Sequence, residues 1–186
     1  VRGLRSANDL TLDALAERSG VSRAMISRIE RSESSPTAQV IARLASGLGV
    51  TVASLFADEE SQDAAPLARL ADQRAWRDPE TGYQRRNLSP PGYPSAIELV
   101  EVTLPPGARV AYDTALRAPA IDQQVYVLEG AVEISLGKSR YELGPGDCLA
   151  MRVDQVAAFR NPAARAARYI VALAAATARS AAGGRS

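Results

Sequence analysis

The sequence predicts a multidomain α + β chain, with an all-α N-terminal domain followed by an all-β domain. Three observations carry this. Up to residue 57, apolar residues recur at helical spacing: Leu12, Leu15 and Ala16 share one face, and Ile26 and Ile29 share another. The stretch ADEESQDAAP at 57–66 is acidic, built of small residues and closed by proline, as a linker or a fraying helix end would be. Beyond it, short strand-like runs are separated by Pro and Gly turns. A chain of 186 residues suits two small domains.

The best-defined element is LDALAERSGVSRAMISRIER at 12–31. Thr11 is placed to cap a first helix, and Gly20 to end it with left-handed backbone. Val21 fills the corner, and Ser22 caps a second helix. Ala16, Gly20 and Ile26 stand in the spacing that sets two short helices at a steep angle around a tight turn. The second helix has an apolar back, Ile26 and Ile29, and a front of Ser22, Arg23, Ala24, Ser27 and Arg28. That front suits a DNA groove. Arginine reads guanine bidentately, serine bonds a base edge or a phosphate, and alanine leaves room for a thymine methyl.

With these residues, 1–56 resembles the Cro- and lambda-repressor-type helix-turn-helix domains of the XRE family. The resemblance implies five helices. The first spans 1–7, and the hairpin supplies the second and third. The fourth runs from the cap Thr37 through Val40, Ile41, Leu44 and Leu48 to Gly49, and the fifth spans 52–56. It also implies an ion pair between Arg5 and Glu30 that orients the third helix. Thr11, Arg31, Ser35 and Thr37 would grip phosphates, while Ser22, Arg23, Ala24, Ser27 and Arg28 read bases.

Charge is balanced. Lys plus Arg number 22 and Asp plus Glu number 21, and the only lysine is Lys138. Seven arginines face five acids up to Ala57, so neither half carries the excess needed to coat nucleic acid without regard to sequence. The single cysteine, Cys148, rules out an internal disulfide, and no apolar run suggests a signal peptide or a membrane span. Cytoplasm, with the nucleoid as the site of action, is the expected compartment. The tail, 177–186, is expected to be disordered.

The expected strands are 67–72, 83–88, 96–104, 123–128, 131–136, 139–143, 148–151, 156–160 and 168–175. Glu129-Gly130, Gly137-Lys138 and Pro145-Gly146-Asp147 supply tight turns. The stretch PPGARV with VYVLEG, within 104–130, resembles the first cupin motif; LGPGDCLAMRVDQVAAFRN, at 143–161, resembles the second. The resemblance covers most of 95–176 and implies a jelly-roll, double-stranded β-helix barrel that pairs in dimers. Domain bounds of 1–57, 58–66, 67–176 and 177–186 follow. The stretch from Trp76-Arg77-Asp78-Pro79 to Gly82-Tyr83-Gln84-Arg85-Arg86 resembles the lead-in of regulators that join these two domains. Trp76 there is either a packing anchor or a stacking surface for a ligand.

The departure from the cupin pattern bears on chemistry. A metal cupin uses histidines and a glutamate, and this chain has no histidine. The glutamate position falls on Gln123 and the second-motif histidine on Ala157; the first-motif histidines would fall within 116–119. Glutamine and alanine do not replace a carboxylate and imidazole around a divalent cation. The expectation is no metal and no catalysis. Tyr112, Gln123, Met151, Ala157 and Phe159 either line a ligand pocket or fill a solid core, with Arg109 or Arg117 at the rim to meet an anion. Cys148 is either a buried small hydrophobe or a redox sensor.

The resemblance thus points to a homodimeric regulator of palindromic double-stranded DNA with an unidentified small-molecule effector. The rival readings are a metal-independent cupin enzyme with a vestigial helical domain, and an antitoxin-like or scaffold binding protein.

Overall fold

The computed structural model describes residues 1–50, 52, 55, 65–112, 121–152 and 156–175. The N-terminal domain holds four α-helices: α1 (Arg2–Ala7), α2 (Leu12–Ser19), α3 (Arg23–Glu30) and α4 (Ala38–Leu48). Each of the last three starts on a hydroxyl. Thr11 accepts from the Ala14 N–H, Ser22 from Met25 and Thr37 from Val40. Gly20 ends α2 at φ 66°, a backbone that L side chains rarely adopt. Leu10, Leu15, Val21, Ile26, Leu44 and Leu48 form the core, with Ile29 and Leu55 packed against it. Among the described residues four α-helices stand where five were expected. Of the expected fifth, 52–56, only Val52 and Leu55 lie within the described residues, and neither is α-helical.

α2 and α4 approach so closely that a Cβ on Gly47 would sit 2.8 Å from the Cβ of Ser19. Ser19 cannot yield: it is buried, its hydroxyl donates to the Leu15 carbonyl, and it accepts from the Val21 N–H. Gly47→Val is therefore expected to overpack this crossing at a cost of about 1–3 kcal/mol. Thermal denaturation followed by circular dichroism should show a fall in Tm of ~5 °C.

The C-terminal domain is a jelly roll of ten strands: β1 (Ala75–Arg77), β2 (Gln84–Asn87), β3 (Ile97–Leu104), β4 (Arg109–Tyr112), β5 (Ile121–Glu129), β6 (Val132–Leu136), β7 (Ser139–Leu143), β8 (Cys148–Arg152), β9 (Ala157–Arg160) and β10 (Ala167–Ala175). One antiparallel sheet has the order β1-β2-β3-β10-β5-β8 and the other β4-β9-β6-β7. From β3 onward the chain passes back and forth between the two sheets, as a double-stranded β-helix does. Their inner faces meet in a core that includes Val100, Val102, Val125, Val127, Ile134, Phe159 and Tyr169.

Three expectations are corrected here. Residues 67–72 form no strand; they end in a 3-10 turn at Leu70–Asp72, with Leu67 and Leu70 exposed. LARLAD pairs its apolar residues instead of alternating them, and with no sheet to pack on it does not make a strand. β1 and β4 were not anticipated. Each is only three or four residues long, and is held by pairing with β2 and β9 rather than by its own pattern. Cys148 is exposed, not buried, because β8 turns Leu149 and Met151 inward.

Among the described residues, a polar clasp links the two domains. Asp78, in the β1–β2 turn, is buried. Its Oδ1 accepts from the N–H groups of Glu80 (2.8 Å) and Thr81 (3.0 Å) and shapes the turn. Its Oδ2 accepts the N–H of Ala38, the first residue of α4, at 2.6 Å. A carboxylate thus sits on the positive end of a helix in the other domain. Ala38 itself packs into the barrel core.

Candidate nucleic-acid interface and barrel interior

The recognition face forms because its back is anchored. Ile26 is fully buried beneath α3, and the Arg5 guanidinium bonds Glu30 edge-on, Nε to Oε1 at 2.9 Å and Nη2 to Oε2 at 3.0 Å. Arg5 also donates through Nη1 to the Leu10 carbonyl, which ties α1, the α1–α2 loop and the end of α3 together. The bond to Glu30 raises the Arg5 pKa, so the cation persists at any working pH. The opposite face shows Ser22, Arg23, Ala24 and Arg28 to solvent. Among the described residues, Arg23 makes a long, exposed contact with Asp13 at 3.5 Å, of a kind worth little energy. Ser27 is half-buried and its hydroxyl accepts from Arg31 Nη1.

The residues expected to grip phosphates differ in their surroundings. Thr11 and Ser35 are exposed. Thr37 is half-buried, and the helix end beside it is already occupied by Asp78. Arg31 is exposed but engaged: Nε and Nη2 bond both carboxylate oxygens of Glu33, at 2.6 and 2.8 Å. That bond raises the Arg31 pKa and lowers that of Glu33. A phosphate on Arg31 must compete with this internal carboxylate. Glu33→Gln is therefore expected to strengthen binding to any duplex about 3- to 10-fold at low salt and to steepen the salt dependence by roughly one counterion. Fluorescence anisotropy over a salt series measures both.

Inside the barrel, Tyr112, Met151, Ala157 and Phe159 belong to or pack on one apolar core, and Gln123 lies opposite Met151 and Leu173 on the face that carries Val125 and Val127. Arg109 does not join them. It is exposed on the face of β4 opposite to Val110 and Tyr112, because alternation along the strand turns it outward. Arg117 lies outside the described residues. The donor set does not fit a metal: an amide stands at 123 and a methyl at 157. Among the described residues, no three His, Cys, Asp or Glu gather to hold a cation.

Three residues of this interior were missed as site candidates in the sequence: Tyr83, Arg85 and Tyr169. Pairing sets Trp76, Arg85, Val102, Tyr169 and Val127 in one row across the inner face of the larger sheet. The Tyr112 hydroxyl donates to that of Tyr83 at 3.0 Å. Burial drives the pKa values of Tyr112 and Tyr169 far up, so both rings stay neutral. Phe159 stacks on Tyr169 with ring centroids 6.0 Å apart, and Tyr112 meets Phe159 edge-on. Tyr83 and Arg85 were legible in GYQRRN, where alternation puts both on one face.

Several known proteins are similar to this chain. The helix-turn-helix family profile HTH_3 matches residues 1–55. SutR of Escherichia coli strain K12, described as an HTH-type transcriptional regulator, is 39% identical over 61 residues, which are 33% of this chain and 34% of SutR. The chain thus spans about a third of the length of that relative. Over nearly its whole length the fold is similar to an HTH_3 family transcriptional regulator from Vibrio cholerae, with TM-score 0.70, 26% identity, and coverage of 93% of this chain and 91% of that one. A cupin domain of an XRE family transcriptional regulator from Enterobacter cloacae also matches, at 21% identity and TM-score 0.45, covering 50% of this chain and 95% of that one. Residues 1–55 thus form a helix-turn-helix domain of the HTH_3 type, followed in this chain by a jelly-roll barrel.

Proposed function

We propose that this chain is a homodimeric, sequence-specific DNA-binding regulator of transcription, acting in the cytoplasm, whose barrel senses a small molecule without a metal. The observation that carries the reading is α3 itself. Its outer face presents Arg23, Ala24 and Arg28 to solvent, while Ile26 and the Arg5–Glu30 pair hold its back. Such a helix lies in the major groove, with its first residues on base edges. Selection of duplexes from a random pool by the full chain tests it. Enrichment of a two-fold symmetric site is expected; no enrichment at low salt would overturn the reading.

A second copy of the chain is the natural occupant of the outer face of the larger sheet. Ile97, Leu99 and Tyr126 are exposed there, and Ile170, Ala172, Ala174 and Ala150 lie beside them by register. A solvated sheet face usually carries polar residues at these positions. Two recognition helices on successive major-groove half-sites, about 34 Å apart, also require two copies. Tyr126→Arg is expected to give monomers in analytical ultracentrifugation and to cost ~100-fold in operator affinity, since one half-site then binds alone.

An effector acts only by binding two domain arrangements differently. The β1–β2 hairpin suits this role. Its turn carries Asp78, which holds α4, and its second strand carries Arg85, which lies within the barrel.

A further inference from the structure

The barrel interior contains an arginine with two guanidinium nitrogens unpartnered. Arg85 is 8% exposed, yet its Nε and Nη2 have no hydrogen-bond partner. No described acid pairs with it. An unpaired buried cation costs several kcal/mol, and folded proteins rarely leave such a group unanswered without a reason.

The two idle nitrogens lie along one edge of the guanidinium, and this chain shows twice what that edge is for. In Arg5, Nε and Nη2 take the two oxygens of Glu30; in Arg31 they take the two oxygens of Glu33. The neighbouring Arg86, on the outer face, has its own acid in Glu101. Arg85 alone of these four turns the fork inward and meets no carboxylate.

Its surroundings are those of a recognition site. Tyr83 is on the same face, two residues before Arg85 on the chain, and carries the Tyr112 hydroxyl bond. With the Tyr112 hydroxyl donating to that of Tyr83, the Tyr83 O–H is left to donate elsewhere. Trp76 meets Tyr83 edge-on at 6.2 Å, and Tyr169 lies in the same cross-strand row as Arg85. A planar two-oxygen anion on the fork would satisfy the guanidinium, and the aromatic walls would strengthen the pair by excluding water.

We propose that Arg85 is the anchor of a binding site in the barrel for a small anion, a carboxylate or a tetrahedral oxyanion, with the Tyr83–Tyr112 hydroxyl pair as its second contact. This names the ligand class of the sensing role proposed above and rests on that reading only for its regulatory meaning.

The test uses the full chain and named probes: acetate, succinate, benzoate, sulfate and inorganic phosphate, each by isothermal titration and thermal shift at constant ionic strength against potassium chloride. At least one probe is expected to bind saturably and raise Tm. Arg85→Met should weaken that binding at least ~10-fold, and Arg85→Lys, which keeps the charge without the fork, should weaken it by an intermediate factor. Arg86→Met should bind as the parent does. Without ligand, Arg85→Met should fold with Tm equal to or above the parent, because it removes a stranded charge. Among the carboxylates and oxyanions, the one that binds tightest separates the two sources. The proposal is overturned if no probe binds above chloride, if Arg85→Met binds equally well, or if Arg85→Met loses Tm while free of ligand. Duplex binding of the same samples is read separately. Anion binding without duplex binding would sink the regulator reading alone, and the reverse would sink only this site.

Discussion

If α3 reads DNA as proposed, replacing Arg23 and Arg28 together by alanine is expected to abolish sequence-specific binding while leaving the fold intact. Both side chains are exposed at the surface of α3, and neither takes part in a cap or in the core. A bidentate base contact is worth about 1–3 kcal/mol, and a dimer makes each contact twice. The expected loss of operator affinity is at least ~100-fold, with residual binding that no longer distinguishes operator from random duplex. Thermal denaturation should give an unchanged Tm. A double variant that still selects the same site would remove α3 from the reading surface.

Asp78→Ala is expected to loosen the contact between the two domains and to destabilise the chain. The Asp78 carboxylate answers three buried or half-buried N–H groups, one of them from the other domain. A stranded buried donor costs about 1–3 kcal/mol, so a fall in Tm of roughly 5–10 °C is expected. Hydrogen exchange at Ala38 and along the first turn of α4 should quicken. The same residue governs part of the acid sensitivity. Burial alone would raise the Asp78 pKa, but the N–H bonds from Ala38, Thr81 and Glu80 and the Thr81 hydroxyl outweigh it, and the net shift is downward. A carboxylate with a lowered folded pKa contributes stability that is whole above the usual value near 3.9 and vanishes as pH falls through the folded value. Acid titration should therefore show the parent losing stability below about pH 4, with this component missing in Asp78→Ala. Asp78→Asn keeps one acceptor and turns an amide donor toward an N–H. It should be flat in the same window and nearly as unstable. Were Asp78→Ala to unfold with the parent's pH profile, the clasp would have no energetic role.

Local rules carried much of the helical domain. Thr11, Ser22 and Thr37 cap helices, and Gly20 and Gly49 end them, because a cap depends on residues three or four positions away. The strands with clean alternation, such as β6, were legible for the same reason. β1 and β4 were not: three or four residues hold no period, and only the partner strand makes them strands. Arg109 illustrates the limit within a site. Its charge and place near the barrel mouth drew attention, but one position along a strand reverses the face, and Arg109 points away while Arg85 points in.

Near neighbours in the chain set a capped helical pair with an arginine front and a β domain after residue 66. Only the tertiary structure decided which distant residues meet. Asp78 lies forty positions from the Ala38 N–H that it binds, and Arg85 gains its aromatic walls from strands at opposite ends of the β domain. The physical reason is burial. Whether a charge is answered or stranded depends on what the folded chain brings within 3 Å of it, and no local pattern records that.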